Sequence, residues 1–172
     1  MMALADAPRR LHKPAVDVFP SIKAQVLGLY VHVPFCFSKC SYCAFYSEPS
    51  NGDRVNLYVE ALLRELELTA PFLQPETIFF GGGTPSLLGA AGLSAVLDAV
   101  RESFGLAPDA EVTTEANPES TSPEFFAGLR AAGYTRVSLG MQSTAVHVLA
   151  ALDRVHSPGR ALDAAREAGL AR

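Results

Sequence analysis

Apolar residues recur along this chain in two alternating rhythms. Over Gly28–Val33, Leu29, Val31 and Val33 fall on one side and Tyr30 and His32 on the other. That is the period-two pattern of a strand, and Pro34 ends it because proline cannot donate to a sheet ladder. Short apolar runs at 77–80, Glu111–Ala116 and 136–140 predict three more strands. Between them the period lengthens to that of a helix. Over 54–70, Val55, Val59, Leu62 and Leu66 form one stripe, with Glu60, Arg64 and Glu67 elsewhere, and Pro71 stops the helix. Over 92–104, Leu93, Val96, Leu97 and Val100 point inward, and Gly105 closes the run. Ser122-Pro123 opens a third helix in cap-then-proline order and Gly133 closes it. A short helix is predicted over 145–151, and Ser157-Pro158 to Gly169 repeats the same signals.

The order is strand then helix, four times. It predicts an α/β fold with a parallel sheet and helices outside, and right-handed crossovers curl such a sheet into an arc of a barrel. Chemistry in such barrels sits at the carboxyl ends of the strands. The unusual stretches lie at those ends: a cysteine loop after the first strand, Gly81-Gly82-Gly83-Thr84-Pro85 after the second, Glu115 and Asn117 after the third, and Gln142 after the fourth. A fifth strand would be expected after the last helix, and none follows. The pattern therefore predicts a partial parallel (β/α) barrel cut short after about four units, with an unpaired edge on its last strand. Residues 1–24, with Pro8, Arg9, Arg10, Lys13 and Pro14, predict an N-terminal tail, and 25–172 a single core-bearing domain.

Composition narrows the function. The chain has 172 residues, 49% of them hydrophobic, and a net charge of −4. An acidic balance argues against a nucleic-acid footprint. No apolar run reaches the roughly 20 residues of a membrane span. The start lacks the apolar core of a secretory signal, and together with the unpaired thiols this predicts a cytoplasmic protein.

All three cysteines fall in one eight-residue stretch, Cys36-x3-Cys40-x2-Cys43. An odd count spaced this closely argues against a disulfide staple. A structural zinc site wants four protein ligands, so zinc would need His32 as the fourth. An iron–sulfur cube accepts three thiolates and leaves its fourth iron open. Plain free thiols remain the bland alternative. The cube is the preferred reading.

The triplet preceded by Tyr-Val-His-Val-Pro-Phe and followed by aromatics resembles the radical S-adenosylmethionine (SAM) superfamily. More narrowly it is similar to the oxygen-independent coproporphyrinogen III oxidase and HemW haem-chaperone group. The resemblance runs from about residue 28 to the end and implies the first two-thirds of a six-unit partial barrel. It implies a [4Fe–4S] cluster on Cys36, Cys40 and Cys43, with SAM on the open iron and a low-potential electron donor as partner. It places the SAM methionine moiety on Gly82, Gly83 and Thr84, and a SAM hydrogen bond on Glu115. It assigns ribose and carboxylate contacts to Gln142 and Arg154, and further SAM contacts to Tyr30 and, over the adenine, Tyr42.

Each of these has a plainer alternative: a flexible turn for the glycines, a solvated carboxylate for Glu115, a surface salt bridge for Arg154, a core aromatic for either tyrosine. His32 reads as a satisfied interior histidine, and His156 has no assigned role. One departure separates the subfamilies. Where the oxidases carry a fourth cysteine, two residues after the third, this chain has Phe45. Cys-x-Phe resembles the HemW type, which implies haem as cargo. The alternative is oxidative decarboxylation of coproporphyrinogen III to protoporphyrinogen IX. The sequence leaves open whether the protein is an enzyme, and the catalytic residues are unassigned.

Overall fold

The computed structural model describes residues 27–68 and 74–171. The expected tail, the stop at Pro71 and the last two residues of the first expected helix lie outside the described residues.

Four strands, β1 (Gly28–Val33), β4 (Thr77–Gly82), β5 (Glu111–Ala116) and β6 (Arg136–Leu139), form one parallel sheet in the order β1-β4-β5-β6. Helices α1 (Gly52–Leu68), α2 (Gly89–Phe104) and α3 (Pro123–Ala132) make the crossovers. A short α4 (Val146–Ala151) and then α5 (Pro158–Leu170) follow the last strand. Sequence-adjacent strands of the large sheet are also spatial neighbours, so the chain walks across it one strand at a time, as a barrel arc requires.

Period-two alternation decides which face is covered. Val31, Val33, Ile78, Phe80 and Val112 are buried beneath the helices, against Leu66 of α1, Leu93, Val96, Leu97 and Val100 of α2, and Phe125, Phe126 and Leu129 of α3. The stripe predicted on α1 packs there, although only Leu66 is fully buried. Tyr30, His32 and Phe79 take the opposite face, where Tyr30 and Phe79 stack with ring centroids 6.1 Å apart. At the lower edge the Tyr134 hydroxyl donates to Leu93 O at 2.9 Å and ties the α3–β6 turn to α2.

Most of the predicted caps are present, but Gly169, expected to close the last helix, lies inside α5, which runs on to Leu170 before Ala171 caps it. Ser122 Oγ accepts from Phe125 N, Ser157 Oγ accepts from Arg160 N, and Gly133 ends α3 in the left-handed region at φ 96°. Several boundaries differ from the expected ones, three of them with a clear cause. β4 runs two residues further, through Gly81 and Gly82, because β1 supplies parallel partners at His32 and Val33. α2 starts at Gly89, since a 3-10 turn over Pro85–Leu88 leads straight into it. Pro34 interrupts rather than ends the first extended segment: β2 (Phe35–Cys36) resumes at once and pairs in parallel with β3 (Glu48–Pro49). Two-residue strands carry no readable periodicity. Among the described residues no helix is long and apolar enough to cross a membrane.

Leu97 is fully buried beneath the sheet, whereas Leu57 is 63% exposed on α1. Leu97→Ala should cost about 2–5 kcal/mol, and Leu57→Ala should stay within about 0.5 kcal/mol. Urea unfolding of the two variants beside the wild type measures both.

Candidate cofactor-binding site

The cysteine loop is held at both ends before any ligand is considered. Its two stems are β2 and β3, with Glu48 N donating to Pro34 O at 2.7 Å and Ser50 N to Cys36 O at 2.8 Å. Glu48 also accepts from the Tyr46 hydroxyl at 2.5 Å and is paired with Arg54 on α1. Within the loop, Cys43 N donates to Cys40 O at 3.1 Å, a tight turn between the second and third thiols. His32 fixes the far end, where its Nε2 hydrogen-bonds Tyr46 O at 3.2 Å and its Nδ1 meets Tyr30 Oη at 3.2 Å. A carbonyl only accepts, so the neutral ring carries its proton on Nε2, and Nδ1 accepts from the tyrosine. His32 is thus the satisfied interior histidine of the sequence reading.

The glycine run closes over the root of this loop. Gly83 N donates to Val33 O at 2.7 Å and Thr84 N to Phe35 O at 2.6 Å. A Cβ on Gly83 would stand 2.4 Å from Phe35 O. Gly82 has φ +107°, and a Cβ there would meet the His32 ring at 2.5 Å. Glycine is required at both positions by backbone geometry alone. The run is therefore a clasp between β1 and β4, and not the flexible turn set against it in the sequence reading. Thr84 Oγ1 then reaches Cys36 Sγ at 3.7 Å.

A cavity of about 340 Å³ opens on the rim made by these loops, within the size range of small-molecule sites. The first loop contributes Cys36, Cys40, Tyr42 and Cys43; the second, Gly82, Gly83 and Thr84. The carboxyl ends of β5 and β6 contribute Glu115, Asn117 and Gln142, and Arg154 enters from beyond α4. Four separate segments meet here, as their places at the strand ends predict. Tyr30 is outside this lining. It shares the inward face of β1 with His32 but sits three residues before the strand's end, roughly 10 Å down the sheet at about 3.3 Å per residue.

Beside Phe45, which the sequence had singled out, the lining holds residues without an expected role. Phe37 is 79% exposed, Phe45 60% and Val155 68%, so the mouth has an apolar lip. Ser47 also lines the cavity, and its buried hydroxyl has no partner. Ser138, on the face of β6 that pairs with Glu115, was reachable from alternation; Ser47 carries no signal at all. Among the described residues two non-glycine residues adopt positive φ, Gln142 at 60° and Asp153 at 52°, and both line the cavity. Behind Gln142, buried His156 places Nε2 at 2.9 Å from Met141 O, which also accepts from Ser143 N at 2.7 Å. His156 therefore braces the rim.

Burial raises the Glu115 carboxyl above the usual carboxylate range, and a donated Gly82 N–H partly offsets this. Burial also raises the Tyr42 phenol, with the nearby Arg154 charge pulling the other way. The three thiols are free and half-buried. Among the described residues no group of three His, Cys, Asp or Glu side chains is placed to share one ion. That spread is poor for a single zinc ion with His32 as fourth ligand, since His32 is committed to Tyr46 and Tyr30. A cube distributes its thiolates over separate irons. Three thiols on one wall of an open cavity fit such a group.

The chain is similar to several known proteins. The family model described as the radical SAM superfamily matches residues 30–171. The chain is 60% identical over 150 residues to the haem chaperone HemW of Mycobacterium tuberculosis (strain ATCC 25618 / H37Rv), covering 84% of this chain and 38% of that protein. It is 41% identical over 149 residues to the haem chaperone HemW of Escherichia coli (strain K12), covering 84% of this chain and 39% of that protein. Among solved structures, the E. coli coproporphyrinogen III oxidase HemN, described as a radical SAM enzyme, matches with a TM-score of 0.77 at 29% identity. That match covers 83% of this chain and 34% of the oxidase. The chain thus spans 38% of the length of the mycobacterial relative.

Gly83→Ala should displace the Phe35 backbone, lower the melting temperature and reduce the iron retained after anaerobic reconstitution. Gly169→Ala is the control: a Cβ there meets nothing within 4 Å, and in a helix the change should stabilise by about 0.5–1 kcal/mol. Normal iron retention in Gly83→Ala would contradict the clasp.

Glu115 yields a second prediction. Because folding raises its pKa, the folded protein keeps this proton to higher pH than the unfolded chain. Its contribution to stability therefore falls as pH climbs from the ordinary carboxylate value through the raised one. Glu115→Gln removes that loss, so the variant's melting temperature relative to wild type should be more favourable at pH 7 than at pH 4. Thermal unfolding of the metal-free proteins at both pH values checks the sign.

Proposed function

We propose, from the premise that this chain belongs to the radical SAM superfamily, that it is the cluster- and SAM-binding part of a HemW-like haem chaperone. Membership of the superfamily implies a [4Fe–4S] cluster and SAM. When bound, that pair supplies one-electron reduction of a sulfonium at an iron left open by the protein.

In this reading Cys36, Cys40 and Cys43 hold the cluster. Gly82, Gly83 and Thr84 present backbone and hydroxyl groups to the methionine moiety of SAM. Glu115, half-buried beside the Gly82 amide, accepts a hydrogen bond from it, and burial strengthens that contact by excluding competing water. Gln142 takes the ribose, the Arg154 fork suits a carboxylate, and Tyr42 covers the adenine from the loop. Tyr30, outside the cavity lining, acts through the His32 ring it hydrogen-bonds.

The observation that carries the chaperone reading is Phe45. It stands where the oxidase-type sequences place a fourth thiol, is 60% exposed, and lines the mouth beside the still more exposed Phe37. Two aromatic faces at the entrance favour a flat apolar macrocycle over a further polar reactant. The first two relatives quoted above, both haem chaperones by name, support the same reading. The alternative is oxidative decarboxylation of coproporphyrinogen III, favoured by the fold shared with the oxidase. In either case a low-potential electron donor is the proposed protein partner.

The test uses protein purified and reconstituted without oxygen. Iron and sulfide should be bound in the wild type and lost in Cys36→Ala, Cys40→Ala and Cys43→Ala. Haem should co-elute with the protein on a sizing column, and coproporphyrinogen III with SAM and dithionite should be recovered unchanged. Formation of protoporphyrinogen IX would establish the oxidase instead, and a colourless zinc-loaded wild type would overturn both.

A further inference from the structure

Arg154 bridges the two walls of the cavity. Its Nη1 donates to Cys40 Sγ at 3.5 Å, a contact between residues 114 apart in sequence, and its Nη2 donates to Gly140 O at 2.7 Å. Gly140 makes the room: a Cβ there would lie 3.2 Å from Nη2. The third edge of the fork, Nε, is buried and has no partner. Among the described residues no carboxylate pairs with this guanidinium. A half-buried cation without a carboxylate is costly unless something else answers its charge. The group it meets is the sulfur of Cys40.

We propose that Arg154 sets the reduction potential of the cluster through Cys40, in addition to any hold on SAM. Resting on the reading that Cys40 is a cluster ligand, Arg154 acts through two effects. A hydrogen bond to a ligand sulfur draws electron density from the cluster. A fixed positive charge nearby favours the reduced state, which carries one more negative charge. Both raise the potential, so removing them lowers it. Two neutral donors also reach the cysteine sulfurs, Thr84 Oγ1 to Cys36 Sγ at 3.7 Å and the Tyr42 hydroxyl to Cys40, and without a charge each contributes less. Arg154 is in this sense a positioning and tuning residue, distinct from a clamp on the carboxylate of SAM, because its effect is present before SAM binds.

The experiment is potentiometry, followed by electron paramagnetic resonance, on the reconstituted protein without SAM. Arg154→Met should lower the equilibrium constant for cluster reduction about tenfold, equivalent to about 59 mV for a one-electron couple. Arg154→Gln keeps an N–H donor without the charge, and its potential should fall between Met and wild type. Thr84→Val should shift the potential less than Arg154→Met does. Coincident potentials for wild type and Arg154→Met would overturn the proposal, even if SAM affinity were lost. If Arg154→Met fails to retain iron, Arg154→Gln decides, and equality with wild type again overturns it. An iron-free wild type would instead show that the three-cysteine ligation is wrong.

Discussion

The arrangement depends on one close approach between backbones: Gly83 lies so near the Phe35 carbonyl that no side chain fits between them. Two amide hydrogen bonds, from Gly83 to Val33 and from Thr84 to Phe35, lock that approach. It fastens the start of the cysteine loop to the end of the neighbouring strand. A loop rooted in this way cannot swing its thiols away from the strand ends without breaking the sheet. The Arg54–Glu48 pair and the His32–Tyr46 hydrogen bond secure the other end of the same loop.

Around that clasp the site follows the logic of a parallel barrel arc. One face of the sheet is spent on the core, from Val33 and Phe80 to Leu97 and Leu129. Side chains on the other face are free for chemistry, but only those at the carboxyl edge reach it. Glu115 lies close enough to that edge to take the Gly82 amide, whereas Tyr30 falls below it. Among the described residues, the buried side-chain polar atoms left without partners concentrate at the same rim: Ser47 Oγ, Arg154 Nε and His156 Nδ1. Buried donors and acceptors are ordinarily satisfied. Those of Ser47 and Arg154, which line the cavity, mark where a bound group is expected to supply what the protein does not.

The two glycine-rich and cysteine-rich stretches are one device rather than two motifs. In sequence they are separate ligand-binding signals. In the fold the glycines serve first as a packing surface for the cysteine loop, and the hydroxyl that follows them, on Thr84, reaches Cys36 directly. Both functions are compatible, because a backbone stripped of side chains to admit a neighbouring chain is equally open to a ligand on its other side.

Much of this was legible in the chain itself. Among the described residues, periodicity located the four main strands and the first two helices, since burial of one face leaves its mark locally, and Ser-Pro starts located the third and last helices. The caps at Ser122 and Ser157 and the stop at Gly133 are likewise local rules, satisfied within four residues. The cysteine triplet and its aromatic neighbours carried the resemblance to the radical SAM superfamily, to which the chain belongs. Tertiary structure alone decided the rest. The β2–β3 pair is too short to carry a period, and the roles of Gly83 and His156 depend on a backbone contributed by another segment. Arg154 meets Cys40 across 114 residues, a pairing that no local pattern encodes, because only the curvature of the assembled sheet sets how far apart its strand ends stand.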